Sequence, residues 1–194
     1  MKIRIGSNRI VFVFPKAGVA IKLPKIHLTR CFEHFCSMWM RNKKIDFTLF
    51  KKRINAEIFR YNVQHLGTIK HFLFYGIYIN REERSFYRKT KHAFTVPTYI
   101  SLFGFLNIQK FANVIELSYQ EWTKVTRYML PAHEDTKGLI WQDGHHFSNP
   151  QNFAITGGKL QLLDYGSPRT QEIIMEKGSA IQQDPKIIEL YLSR

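Results

Sequence analysis

The chain has 194 residues, 44% of them apolar, with sixteen Phe, nine Tyr and three Trp. That is enough apolar surface to build a real core, so extended disorder is excluded over most of the length. Net charge is +14, from 29 Lys plus Arg against 15 Asp plus Glu, a field that attracts phosphate-bearing partners. Every apolar run is broken before it could span a bilayer, and no membrane span is expected. Cys31 and Cys36 form neither a disulfide framework nor a zinc spacing. Together with an N-terminus lacking a signal-peptide apolar region, they imply a reduced, intracellular, cytoplasmic chain.

Residues 2–5, which alternate polar and apolar, and 9–14 read as strands joined by the turn-forming triplet at 6–8, and 19–23 makes a third strand after the turn at Pro15–Gly18. Helical spacing of Phe32, Phe35, Cys36, Trp39 and Met40 predicts a helix over 28–43. Its basic face suits a substrate or an acidic protein partner, and packing as an accessory helix is the plainer reading. A second helix is predicted over 47–66, with Gly67 as its C-cap. Residues 69–95 read as further helix. Thr98–Phe103 and Phe105–Phe111 form a hairpin turning at Gly104. Ser118 and Glu121 form a capping box for a helix running to about Leu130. A polar loop after Trp141 leads to the strand Phe153–Thr156, the turn Gly157-Gly158 and the returning strand Lys159–Leu163.

Four positions carry chemistry suited to phosphoryl transfer. Lys22, on a strand behind a turn, offers an ammonium to nucleotide phosphates. Glu57, mid-helix among apolar neighbours, would need a cationic partner if it points inward, and Lys22 is a candidate. Asn152, at a loop-to-strand junction, offers an amide oxygen to a hard cation such as magnesium. Asp164, in Asp164-Tyr165-Gly166 at a strand end, offers a charged oxygen beside it. Singly, each has an ordinary alternative as a solvated edge lysine, an exposed helix glutamate, a turn asparagine or a turn aspartate.

Taken in order, these residues resemble the protein-kinase-like superfamily. Val19-Ala20-Ile21-Lys22 matches its nucleotide-binding strand motif, Glu57 is similar to its helix glutamate, and Asn152 with Asp164-Tyr165-Gly166 resembles its two metal-binding positions. The resemblance spans roughly residues 3–166. It implies an α+β, two-lobed fold, with a small antiparallel-sheet N-lobe over 1–113 and a reduced, mainly helical C-lobe over 114–194. Gln109–Asn113 would be the hinge. It also implies ATP and Mg2+ as cofactors, with transfer of phosphate to a hydroxyl acceptor, protein or small molecule. Two features depart from the family pattern. Only Gly6 stands where several loop glycines are usual, and Phe147 stands where the catalytic aspartate is expected. Asp143, nine residues before Asn152, is the carboxylate assigned to catalysis here, and pairing it with Asn149 instead is the alternative register. His145 and His146 lack further ligands at metal spacing and are read as loop residues orienting Asp143. A nucleotide-binding pseudokinase scaffold is the second reading. A basic nucleic-acid binder is the third and is not favoured, because the positive charge is spread along the chain.

Overall fold

The computed structural model describes residues 1–6, 8–26, 36, 48, 52, 73–114, 116–133, 144–147 and 149–192. The helices expected at 28–43 and 47–66 lie, but for isolated positions, outside the described residues. Among the described residues the chain is α+β, with one five-stranded sheet, one two-stranded hairpin and several helices.

The sheet is a meander carried through a second hairpin. β1 (Lys2–Ile5), β2 (Arg9–Phe14) and β3 (Val19–Pro24) run antiparallel, and β3 then pairs with β5 (Leu106–Lys110), which pairs with β4 (Thr98–Leu102). The spatial order is β1-β2-β3-β5-β4. β-branched and aromatic residues in Arg9–Phe14 favour the extended backbone. The β2–β3 turn closes through a short 3-10 stretch, Pro15–Ala17, and Gly18 at φ 68°. The 98–110 hairpin turns at Phe103-Gly104, as expected, with Gly104 at φ 86°.

Side chains alternate across a strand, so register sorts them onto faces. Lys22 pairs with Val11 and Asn107, and Ala20 with Val13 and Gln109. Arg9, Val13, Ala20, Lys22, Asn107 and Gln109 are all buried on that one face.

α1 (Tyr75–Thr90) crosses behind β3, β4 and β5. Its buried stripe, Gly76, Ile79, Asn80, Glu83 and Phe86, follows helical spacing. The helix ends with Lys91 in the left-handed region, its N–H donating to Tyr87 O. α2 (Tyr119–His133) starts with the predicted capping box: Ser118 N–H donates to Glu121 Oε2 (2.7 Å) and Glu121 N–H to Ser118 Oγ (3.3 Å). A short α3 (Gly144–Phe147) and a 3-10 turn (Pro150–Asn152) lead into β6 (Phe153–Thr156) and β7 (Lys159–Leu162). Gly157 and Gly158, both at positive φ, make the tight turn between them. α4 (Pro168–Gln183) and α5 (Pro185–Leu192) follow.

The main apolar core lies between α1, α2, α4 and the β6–β7 hairpin. Phe86, Phe94, Met129, Phe147, Phe153, Leu160, Leu162, Tyr165, Ile173 and Ile174 are among its buried members. Phe147 is fully buried, with its ring 6.1 Å from that of Phe153. The residue at the expected catalytic-aspartate position is therefore a core residue, and its large apolar ring accounts for the burial. Among the described residues, no helix is long and apolar enough to cross a membrane.

Candidate functional site: a cleft over a buried charge network

A cleft of about 790 Å³ opens between the inner face of the sheet and the segment that carries Asn152 and Asp164, a size ordinary for small-molecule sites. Lys22, Asn152 and Asp164 all line it. The structure thus brings together three of the five site residues expected from sequence. Glu57 and Asp143 lie outside the described residues.

Lys22 meets the carboxylate of Glu83, while Glu57, the partner expected from sequence, lies outside the described residues. Lys22 Nζ donates to Glu83 Oε1 at 2.8 Å and to Leu163 O at 2.7 Å. Glu83 comes from the inward stripe of α1, four residues after Ile79 and three before Phe86, so helix periodicity turns it to the sheet. It is fully buried.

A second cation shares this carboxylate. Arg9 Nη1 donates to Glu83 Oε2 at 2.5 Å, and Arg9 Nη2 is ion-paired with Asp164 Oδ1. Asn80 Oδ1 lies 3.4 Å from Arg9 Nη1. Two cations and two carboxylates therefore form one chain, Lys22–Glu83–Arg9–Asp164, at the back of the cleft. His146 Nε2 stands 3.9 Å from the same oxygen of Asp164.

Burial alone would lower the Arg9 pKa, but Asp164 and Glu83 outweigh it and hold the guanidinium charged. Burial lowers the Lys22 pKa, with Glu83 opposing and Arg9 adding to the shift. Burial would raise the Asp164 pKa; Arg9 outweighs it, His146 and Lys22 help, and the net direction is down. The network is internally neutral when all four groups are ionised, which is what permits its burial.

Polar side chains hold the network in place. Gln109 Nε2 lies within 3.4 Å of four acceptors: Glu83 Oε1, Val96 O, Thr98 Oγ1 and Leu163 O. Thr98 Oγ1 donates to Glu83 Oε1 at 3.1 Å. Asp164 is placed by its neighbours on both sides. Leu163 N–H donates to Asn152 O (2.7 Å), and Tyr165 is buried with its hydroxyl donating to Val96 O at 2.7 Å. Gly166 lies so close to α1 that a Cβ there would meet the Ile79 side chain and stand 2.6 Å from Ile79 O. Asn152 Nδ2 donates to His146 O at 3.1 Å, tying the loop before β6 to α3.

The cleft is electropositive. Lys2 and Arg4 line it against Glu116, beside the Lys22–Glu83–Arg9–Asp164 network, whose charges balance. Lys2 and Arg4 pair with Val13 and Val11, so they share the sheet face with Lys22. Such a wall suits an anion with several charges.

Magnesium, implied by the resemblance, does not fit the site as it is arranged. Asp164 Oδ1 is buried against the Arg9 guanidinium, so a metal on the other, partly exposed oxygen would share the carboxylate with that cation.

Sequence reasoning missed Arg9 and Glu83, and it put Gln109 in the hinge and His146 beside Asp143 without placing either at this network. The first two left a trace. Arg9 has the parity of Val11 and Val13, and Glu83 has the spacing of Ile79 and Phe86. The chain matches no known family model, no curated protein and no solved structure.

Proposed function

We propose that this chain is a diverged protein-kinase-like domain, two-lobed about the cleft, that binds a nucleoside triphosphate. The Lys22–Glu83 ion pair carries this reading, since it sets a strand lysine against an inward helix glutamate at the back of a basic cleft. In this reading Lys22 and its neighbours receive the phosphates. Ala20, Val13 and Ala112 supply apolar wall, and Gln109, Phe111 and Asn113 border the base. The lobes are those expected from sequence, 1–113 and 114–194. Phosphate transfer to a hydroxyl acceptor is the reaction class, with Asp143 as the acceptor's base.

Two observations favour binding without transfer, as a pseudokinase scaffold. Phe147 is locked in the core, and the Asp164 carboxylate is paired with Arg9.

A thermal-shift titration with ATP tests the shared part of both readings. Saturation at about a hundred times Kd adds roughly 2.7 kcal/mol, a rise of several degrees at about 2–4 °C per kcal/mol for a chain of this size. The rise is expected to vanish in Lys22→Met and to persist in Lys159→Met, which removes an exposed charge from the β6–β7 hairpin. Equal loss in both variants would reduce the effect to non-specific attraction of an anion to a basic protein. Turnover of ATP that disappears in Asp143→Asn would then select the enzyme over the scaffold.

A further inference from the structure

We infer that Arg9 stands in for the divalent cation at Asp164, so that the cleft takes up a nucleoside triphosphate without magnesium. The inference rests on the nucleotide reading above and concerns how the same site handles phosphate charge. Four observations lead to it.

The first is position. Arg9 opens β2, directly after the β1–β2 turn, on the sheet face that roofs the cleft. Its guanidinium bridges Glu83 from α1 and Asp164 from the segment after β7. A cation is thereby supplied by the chain at the point where a metal would have to bind.

The second is permanence. The Arg9 side chain is 7% exposed, and Glu83 is fully buried. Removing Arg9 from the pair to admit a metal would leave Lys22 alone to neutralise a buried carboxylate. An arginine keeps its charge at any ordinary pH, so it does not vacate by deprotonation.

The third is donor capacity. A guanidinium has five N–H donors in a planar fork, and an ammonium has three. Asn80, Glu83 and Asp164 account for three of the Arg9 donors, and Glu83 and Leu163 O for two of the Lys22 donors. Both residues line the cleft, and their remaining donors suit phosphate oxygens, which arginine binds through paired hydrogen bonds.

The fourth is charge. With the buried network neutral within itself, the lining adds Lys2 and Arg4 against Glu116. A bare triphosphate is drawn to that field, whereas a divalent cation gains little from it. Magnesium also prefers oxygen ligands in octahedral array, and at Asp164 it would have to sit beside the guanidinium that already holds Oδ1.

Calorimetric titration of the full chain with ATP, once in EDTA and once in excess magnesium chloride, tests the inference. Wild-type affinity is expected to be no weaker in EDTA than in magnesium, within about threefold. Arg9→Gln, which removes the resident charge and uncovers Asp164, is expected to bind about tenfold or more weakly in EDTA and to regain affinity with magnesium. Arg9→Lys keeps a cation and is expected to stay metal-independent. A wild-type affinity that falls more than about tenfold in EDTA overturns the inference while leaving the nucleotide site standing. Binding in neither condition overturns the nucleotide reading and this inference with it. Should Arg9→Gln fail to fold, the two wild-type affinities and Arg9→Lys still decide the matter.

Discussion

Two buried regions of this molecule are built on opposite principles. Beneath β6 and β7, Phe147, Phe153, Leu160, Leu162 and Met129 fill the interior with apolar rings and chains. Under the sheet, Arg9, Lys22, Glu83, Asn107 and Gln109 are equally hidden from water, yet all are polar. The apolar region is stabilised by burial itself, at roughly 25 cal/mol per Å². Charges gain nothing from burial and break even at best when paired well. A domain of this size with an apolar core elsewhere has no need of a second, charged one for stability. We take the charged region as the functional part and the apolar region as its support.

The largest effects separate these roles. Phe147→Ala should cost about 3–5 kcal/mol through lost burial and a cavity. Glu83→Ala should cost a similar amount, about 3–5 kcal/mol, by leaving the buried Lys22 without its carboxylate and Arg9 with Asp164 alone. Denaturant titration gives both values, and ATP binding below the melting range tells the variants apart. Affinity should survive in Phe147→Ala and fail in Glu83→Ala; the reverse result would abolish the division of roles.

Replacing the Lys22–Glu83 pair by apolar residues sharpens the contrast. The double variant Lys22→Met/Glu83→Leu removes one charge of each sign and leaves Arg9 with Asp164. It should be as stable as the wild type or more so, because a buried ion pair rarely outweighs a well-packed apolar replacement. It should bind no nucleotide. A double variant as unstable as Glu83→Ala would show the pair to be structural.

A smaller effect is expected at the boundary between the regions. Tyr165 contributes its ring to the apolar core, 6.0 Å from Phe86, and its hydroxyl to Val96 O and Thr98 Oγ1. Tyr165→Phe keeps the ring and should cost about 1 kcal/mol. A loss of nucleotide affinity larger than this loss of stability would place the Tyr165 hydroxyl among the groups that position Asp164.

The smallest effect lies at the edge of the apolar core. Burial lowers the His92 pKa, and its Nδ1 accepts from Phe94 N–H at 3.2 Å. The unfolded chain therefore takes up the proton first as pH falls through about 6.5. Stability should fall over that interval and level off below the folded-state value. His92→Gln should flatten this part of the pH–stability curve, and an unchanged slope would assign it to another group.

The sheet and the hairpins were legible because their signals are local. The β-branched and aromatic run in Arg9–Phe14, the turn at Gly104, the paired glycines at 157–158 and the Ser118–Glu121 capping box each specify a short piece of backbone. Lys22, Asn152 and Asp164 were legible for the same reason, since each flanks a strand with a readable end. The charge network was not, because its pairings join residues far apart in the chain: Arg9 to Asp164 and Lys22 to Glu83. A single sequence shows that Glu83 lies on an inward stripe, but not which cation that stripe will face. The burial of Phe147 was hidden for a different reason: a lone aromatic in a polar loop carries no local sign of the core it enters.

The contact between Gly166 and α1 bears on how this chain can change over generations. A side chain at 166 would press on the Ile79 carbonyl as well as on its side chain, so trimming Ile79 cannot make room for it. Neighbouring positions can drift together by compensating volume, but this one answers to a main-chain atom that no substitution removes. A library of all residues at 166, selected for folding, should return glycine alone, even in a background carrying Ile79→Ala.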